Sequence, residues 1–186
     1  MLMKEIRTER LLIKTPQIDD KFELTQLIND KDVIKWLSEI PFPYTLSHAE
    51  EFIERSRERV LKQESYNFMI FQDKKMIGGI GLSEFNNKSC QVGYWLGKKY
   101  WGNGFATEAV NGILDFGFKQ LSLEEIFAAY KIDNDGSKRV LTKCGFQYCR
   151  KKYEYDSVLN EEVFDKSVTD ISATKIRKEM REKGDL

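Results

Sequence analysis

Histidine is almost missing from this chain, and its absence removes a great deal of chemistry. His48 is the single histidine, so a paired-histidine metal site or a two-histidine relay lacks its second member. Cysteine is scarce as well. Cys90, Cys144 and Cys149 are odd in number and lack metal-ligand spacing, which reads as reduced thiols in a cytoplasmic protein. No metal is expected. Charge of one sign is also lacking: thirty basic residues balance thirty acidic ones. A chain without net charge has no global pull toward nucleic acid or a membrane surface. No apolar run approaches the roughly 18 residues of a transmembrane helix. Residues 1–10 carry charges and no apolar core segment, so no secretory signal is expected. No internal repeat, low-complexity segment or linker interrupts the chain.

What is present is an ordinary globular composition. The chain has 186 residues, 41% hydrophobic and 32% charged, enough to bury a core and consistent with one domain over residues 1–186. Residues 173–186 read as a charged helix or a frayed tail.

One stretch organises the rest. Residues 92–109, VGYWLGKKYWGNGFATEA, read as the end of a strand, a basic glycine-bearing turn and the start of an amphipathic helix. That sequence of elements makes an anion site, because exposed backbone N–H groups and the positive end of the helix dipole face the same point. Gly97, Gly102 and Gly104 permit positive φ and close approach. A Walker loop fails here, since Asn103-Gly104 stand where Lys-Ser/Thr is required. A Rossmann fingerprint is weak, because its third glycine would fall at Thr107.

The flanking pattern is mixed. Residues 8–16 read as a first strand ended by Pro16. Asp19 and Asp20 start a helix with Phe22, Leu24, Leu27 and Ile28 as its stripe, and a short piece over residues 32–37 follows. Ser47 and Glu50 suggest a capping box for a helix carrying Ala49, Phe52, Ile53, Val60 and Leu61 on one side. Strands over residues 66–72, 76–84 and 90–96 form a meander, with Gly78, Gly79 and Gly81 marking a bulge or a tight contact. A helix over 105–120 separates the third of these from a strand over 124–131, so those two should be parallel. Residues 134–144 form a short helix that stops at Gly145 with Phe146 behind it, a Schellman ending. Two strands, 147–156 and 162–171, close the chain.

Lys99-Tyr100-Trp101-Gly102-Asn103-Gly104 resembles the coenzyme A loop Q/R-x-x-G-x-G/A of the GNAT (Gcn5-related) N-acetyltransferase superfamily, with Lys99 in place of Gln or Arg. The opening T-E-R-L-x-I from Thr8, the longer string GYWL…YWGNGFATEA, and N-x-x-S-x-x-V-x-x-K-x-G-F from Asn134 to Phe146 resemble its ribosomal-protein (RimJ/RimL-like) branch. The resemblance implies an α+β GNAT fold: a mixed, mostly antiparallel seven-stranded sheet with helices on both faces, splayed at the central parallel pair. It implies an acetyl-CoA-dependent N-acetyltransferase acting on a primary amine. The implied acceptor is a protein N-terminal α-amine such as that of a ribosomal protein, attacking directly in a ternary complex.

On that resemblance the amides of Trp101, Gly102, Asn103, Gly104, Phe105, Ala106 and Thr107 cup the pyrophosphate, with Lys98 and Lys99 adding positive charge. Trp95, Leu96 and Gly97 pair with the pantetheine arm, and Asn134 binds its amide. Ser137 meets the leaving thiolate. From local pattern alone, Asn134 is as readily a helix cap. The family's usual glutamate falls at Gln91, which cannot take a proton, so Glu84 is the remaining carboxylate candidate for the base. Trp36, Phe42 and Tyr44 are candidates for the acceptor pocket, or else for packing. Small-molecule amines and a catalytically weak coenzyme A sensor remain alternatives, and the protein is expected to be a monomer or homodimer.

Overall fold

Alternating apolar side chains on the strands give the sheet two faces to cover, and the helices divide between them. The computed structural model describes residues 4–37, 40–131, 133–148 and 171–177. Its strands are β1 (Glu5–Arg7), β2 (Leu12–Lys14), β3 (Tyr66–Gln72), β4 (Lys75–Asn86), β5 (Ser89–Leu96), β6 (Glu125–Lys131), β7 (Gln147–Tyr148) and β8 (Ile171–Arg177). They form one sheet in the order β1-β2-β3-β4-β5-β6-β8-β7. Every neighbouring pair is antiparallel except β5 and β6, which are parallel. The helices are α1 (Lys21–Ile28), α2 (Lys31–Ile34), α3 (Leu46–Leu61), α4 (Phe105–Asp115) and α5 (Asp135–Lys143).

Strand β3 shows how the layers arise. Phe68 and Ile70 enter a core with Val110, Ile113 and Leu114 of α4. Met69 and Phe71, one residue out of phase, enter a second core with Leu24 and Ile28 of α1 and Ala49 of α3. The period-two pattern of the strand thus meets two helical stripes. Helices cover both faces of a mixed α+β sheet, as the sequence implies.

Several local readings shift. The expected first strand is a ribbon of two short strands, β1 and β2, because residues 8–11 turn back: the Thr8 N–H donates to the Leu11 carbonyl (3.0 Å). This ribbon brings the described sheet to eight strands. The α3 cap lies two residues earlier than Ser47. Thr45 Oγ1 accepts from the His48 N–H, and His48 Nδ1 accepts from the Thr45 N–H, so the histidine serves as a helix cap. Phe22 and Leu61 face outward, at 58% and 76% exposure; on α3 Ser56 is buried in the apolar stripe's place and accepts from Asn67 Nδ2. The last described strand runs over Ile171–Arg177, where a charged helix or frayed tail is the sequence expectation. Most of the expected closing strands, with their turn at Leu159-Asn160, lies outside the described residues, as do Cys149 and residues 178–186.

Other readings hold. Asp73 and Lys74 join β3 to β4 with φ of 47° and 67°, the double positive φ of a hairpin turn that matches strand twist. Phe146 N–H reaches the Leu141 carbonyl and Gly145 N–H the Thr142 carbonyl, each at 3.0 Å, with Gly145 at φ 84°. That is the expected Schellman stop.

The glycines of β4 have a steric cause. A Cβ on Gly78 would lie 2.1 Å from the Trp95 carbonyl oxygen, a backbone atom that cannot yield without shifting β5. Gly93, by contrast, has open space around its missing Cβ. Gly78→Ala should therefore cost about 2–3 kcal/mol, whereas Gly93→Ala should stay within about 0.5 kcal/mol. Urea unfolding of the two variants beside the parent chain checks this, and equal midpoints for both would contradict the close approach of β4 and β5 at Gly78.

Candidate active site

The site begins where the sheet stops closing. The parallel pairing runs from Ser89↔Glu125 to Val92↔Ala128 and ends there. On its outer side β5 stays paired with β4 as far as Leu96↔Gly78. On its outer side β6 stays paired with β8 as far as Lys131↔Ile171. Residues 93–96 and 129–131 therefore face each other across a widening gap, each held from behind. A cavity of about 630 Å³ fills the gap.

The mouth of this gap carries the phosphate loop. Gly102 and Gly104 both adopt positive φ, 78° and 80°, which L side chains rarely tolerate. Trp101 Nε1 donates to the Leu96 carbonyl at 2.8 Å and pins the loop to its strand. Gly104 stands at the N-cap of α4 with no side chain to cap it, and the helical ladder opens with Glu108 N–H to the Gly104 carbonyl (3.0 Å). The N–H groups of Phe105, Ala106 and Thr107 precede that ladder and point out of the helix start. Their alignment and the helix dipole favour an anion there.

Of the residues singled out from sequence, Trp36, Trp95, Leu96, Trp101, Gly102, Gly104, Phe105, Ala106, Thr107, Asn134 and Ser137 all line the cavity. Others stand apart from its lining. Gly97 packs against Leu27 of α1, where a Cβ would meet Leu27 Cδ1 at 2.3 Å. Lys99 lies over the Tyr100 ring. Asn103 turns its side chain back to the Trp101 carbonyl (3.0 Å). Lys98 is paired with Asp32 at 2.6 Å. Asp32 also binds Lys35, and the hydrogen bonds from Lys35 and Lys98 hold its carboxyl down to about 2.

The two base positions meet each other instead of the cavity. Gln91 Nε2 donates to Glu84 Oε1 at 3.1 Å on the exposed end of the β4–β5 hairpin, and neither residue lines the gap. Phe42 is exposed, and Tyr44 is buried in the second core with its hydroxyl donating to the His48 carbonyl. Asn134 Oδ1 accepts from the Ser137 N–H at 3.0 Å, so Asn134 is the helix cap and a cavity wall at once.

Two features escape the sequence reading. Tyr94 lies on β5 beside the gap, and its hydroxyl sits 2.8 Å from Ser137 Oγ. Only the topology reveals that pair, because the residues are far apart in the chain. The second is a latch. Glu108 takes hydrogen bonds from Thr8 Oγ1 (2.5 Å), the Arg10 N–H (2.7 Å) and Arg10 Nε (2.7 Å). Arg10 Nη1 also donates to the Asn103 carbonyl (3.1 Å), and its guanidinium covers the Phe105 ring. The N-terminal turn thus holds the loop from outside. A further cavity of about 630 Å³ opens beside this latch and shares Gly104, Thr107 and Lys143 with the first.

The thiols offer no nucleophile among the described residues. Cys90 and Cys144 are both buried, and burial pushes the Cys90 thiol up to about 12. Among the described residues no cluster of histidine, cysteine and acidic side chains could hold a metal, and no helix is long and apolar enough to cross a membrane.

Comparison with known proteins places the chain in a family. The model of the acetyltransferase (GNAT) domain matches residues 10–147. An uncharacterized N-acetyltransferase, p20 of Bacillus licheniformis, is 32% identical over 78% of this chain and 83% of its own length. The ribosomal-protein-serine acetyltransferase of Escherichia coli is 28% identical over 52% of this chain and 57% of its own. Among solved structures, Mycobacterium smegmatis RimJ in complex with CoA-disulfide superposes with a TM-score of 0.79 at 18% identity, covering 95% of this chain and 87% of the other. That likeness concerns the fold.

The latch carries a pH signature. Burial alone would raise the Glu108 pKa, but the hydrogen bonds from Thr8 and Arg10 outweigh it and bring it below the ordinary 4.5. A carboxylate lowered in the folded state adds stability that is fully present above its unfolded pKa and is lost as pH falls through the folded one. Glu108→Gln should therefore be less stable than the parent chain at pH 7, by about 1–3 kcal/mol for lost charge-assisted bonds. The difference should shrink below about pH 4.5. Urea unfolding of both proteins across that range measures it; a gap independent of pH would refute the latch as an ionic one.

Proposed function

We propose a reaction for this chain, which belongs to the acetyltransferase (GNAT) domain family: transfer of the acetyl group of acetyl-CoA to a protein N-terminal α-amine by direct attack in a ternary complex. The observation that carries this reading is the gap between β5 and β6, with an uncapped helix start at its mouth and Ser137 on its wall. It offers three of the four things acyl transfer from a thioester to an amine needs: a held cofactor, a polarised carbonyl and a stabilised thiolate; the fourth, a neutral amine, comes from the acceptor itself.

The cofactor is held first. The pyrophosphate rests on the amides of Phe105, Ala106 and Thr107, and the adenosine end extends toward the second cavity, with Lys143 between the two. The RimJ neighbour was solved with coenzyme A as a disulfide, which supports coenzyme A as the ligand. The pantetheine arm then lies between the edges of β5 and β6, where residues 93–96 offer backbone groups no longer engaged by β6. One such N–H polarises the thioester carbonyl, an oxyanion-type contact that needs no special side chain. Ser137 donates to the departing thiolate. Bound acetyl-CoA itself supplies the activated acyl group.

The amine must be neutral to attack. Gln91 and Glu84 are bonded to each other outside the gap; the carboxylates among its described lining are Asp133 and Asp135, at the start of α5, and no glutamate is among them. An α-amine with a pKa near 8 already has a substantial neutral fraction at neutral pH, unlike a lysine side chain near 10.4; water removes the remaining proton. The wall on the acceptor side is apolar, built from Val33, Trp36 and Leu37, which suits a peptide's first side chain better than a polycation. The similarity to the ribosomal-protein-serine acetyltransferase of Escherichia coli supports the same class. Buried Cys144 and Cys90 weigh against an acyl-enzyme route. The absence of a glutamate at position 91 favours one competing reading, a coenzyme A-binding sensor.

Thiol release from acetyl-CoA, measured against peptides with free N-termini, blocked peptides bearing lysine, polyamines and aminoglycosides, separates these readings. Release confined to free N-termini is the expected result. Release with polyamines or aminoglycosides alone would replace the acceptor class, and tight acetyl-CoA binding with no release on any amine would establish the sensor.

A further inference from the structure

We infer that Tyr94 is a positioning residue that aims the hydroxyl hydrogen of Ser137 at the leaving sulfur of coenzyme A. This rests on the proposed role of Ser137 and goes one step behind it.

The geometry is specific. Tyr94 reaches from β5 across to α5, and its hydroxyl lies 2.8 Å from Ser137 Oγ and 3.3 Å from the Ser137 carbonyl oxygen. Both side chains line the same cavity. Between two hydroxyls either can donate, and the direction decides what Ser137 can do. A serine hydroxyl has one hydrogen. If Ser137 gave it to Tyr94, none would remain for a thiolate. If Tyr94 donates, Ser137 accepts at Oγ and its own hydrogen is left for the cavity.

Three observations favour the second direction. Ser137 Oγ is not used to cap its own helix, since Asn134 Oδ1 takes the Ser137 N–H. The single hydrogen of the Tyr94 hydroxyl faces two oxygens of Ser137, and Oγ at 2.8 Å is the nearer acceptor, with the carbonyl at 3.3 Å the longer competitor. Burial also raises the Tyr94 pKa, which keeps the phenol protonated and therefore a donor. When the thioester breaks, the C–S electron pair goes to sulfur. The Ser137 hydrogen stabilises that thiolate by a hydrogen bond, while Tyr94 keeps its own proton and holds Ser137 in the donating orientation. No oxidant or further reactant enters.

The test needs no acceptor amine. Coenzyme A is bound to the parent protein, to Tyr94→Phe and to Ser137→Ala, and the pKa of its thiol is read from the ultraviolet absorbance of the thiolate against pH. Circular dichroism confirms that each variant is folded. Tyr94→Phe should raise the bound thiol pKa by about half to one unit, a three- to tenfold loss of thiolate of the size one neutral hydrogen bond contributes. Ser137→Ala should raise it at least as far. The double variant should match Ser137→Ala alone, because Tyr94 acts only through Ser137.

A shift in Ser137→Ala with none in Tyr94→Phe would overturn this inference and leave the serine's role standing. Additive shifts would overturn it as well, since Tyr94 would then touch sulfur on its own. No shift in either variant would remove the thiolate role of Ser137, and this inference with it. Failure of the parent protein to bind coenzyme A would refute the cofactor reading and the inference alike.

Discussion

A sheet that cannot finish one of its ladders is the constraint on which this structure depends. Backbone N–H and C=O groups must be paired or solvated, and β5 and β6 leave theirs apart beyond Val92 and Ala128. Such a gap would ordinarily close. Here it is kept open because each strand is fixed by its other neighbour, β5 by β4 and β6 by β8. Between β4 and β5 the fit is close enough that Gly78 has no room for a methyl group. The opening is therefore a property of the whole sheet and not of a flexible loop. A site on rigid elements holds its geometry without reorganising when the reaction begins.

The second dependence is the support of the phosphate loop. The two glycines lose much conformational freedom on ordering, and a helix start without a side-chain cap is locally unfavourable, so the loop gains from bracing outside it. The indole of Trp101 ties the loop to β5. Arg10 ties it to the N-terminal ribbon through Glu108 and the Asn103 carbonyl. The cation nearest the loop's own carbonyl is thus occupied with structure, and the charge of Lys98 is engaged by Asp32. What is left facing the cavity mouth is backbone amide, with Lys143 and Arg139 on α5 as the cations of the wall. On the proposed reading, a Lys in place of Gln or Arg at position 99 is tolerated because the loop works through main-chain groups that any sequence with the two glycines supplies.

Much of this is legible in the sequence because it is local. The strand–loop–helix unit, the parallel β5–β6 pair and the Schellman stop at Gly145 all follow from spacing and from glycine chemistry. The misreadings have physical causes too. Thr45 and His48 outcompete Ser47 as the cap because histidine Nδ1 replaces the carboxylate that a capping box normally uses. Phe22 comes two residues before Leu24, and Leu61 one after Val60, steps of roughly 160° and 100° around the helix that carry both off the buried stripe. Glu84 follows the right strand but emerges at the far end of the hairpin, since register and not strand identity sets depth along the gap. The Tyr94–Ser137 and Arg10–Glu108 pairs are invisible in the sequence because each joins elements that only the tertiary fold brings together.

On the proposed reading, the acceptor side follows from how α2 is attached. Lys98, just after β5, binds Asp32 at 2.6 Å, and Lys131, at the end of β6, donates to the Lys35 carbonyl at 2.7 Å. Lys35 in turn binds Asp32. One short helix and the turn after it are thus pinned to both lips of the gap, and Val33 of the helix and Trp36 and Leu37 of the turn line the cavity. These are exposed polar contacts, screened by solvent and weak individually, so they orient α2 without locking it. The cofactor lip is built from the interlocked sheet and the latched loop, whereas the acceptor lip is held by lysine side chains. A molecule with that asymmetry keeps its cofactor site fixed and leaves the choice of amine to the segment that costs least to remodel.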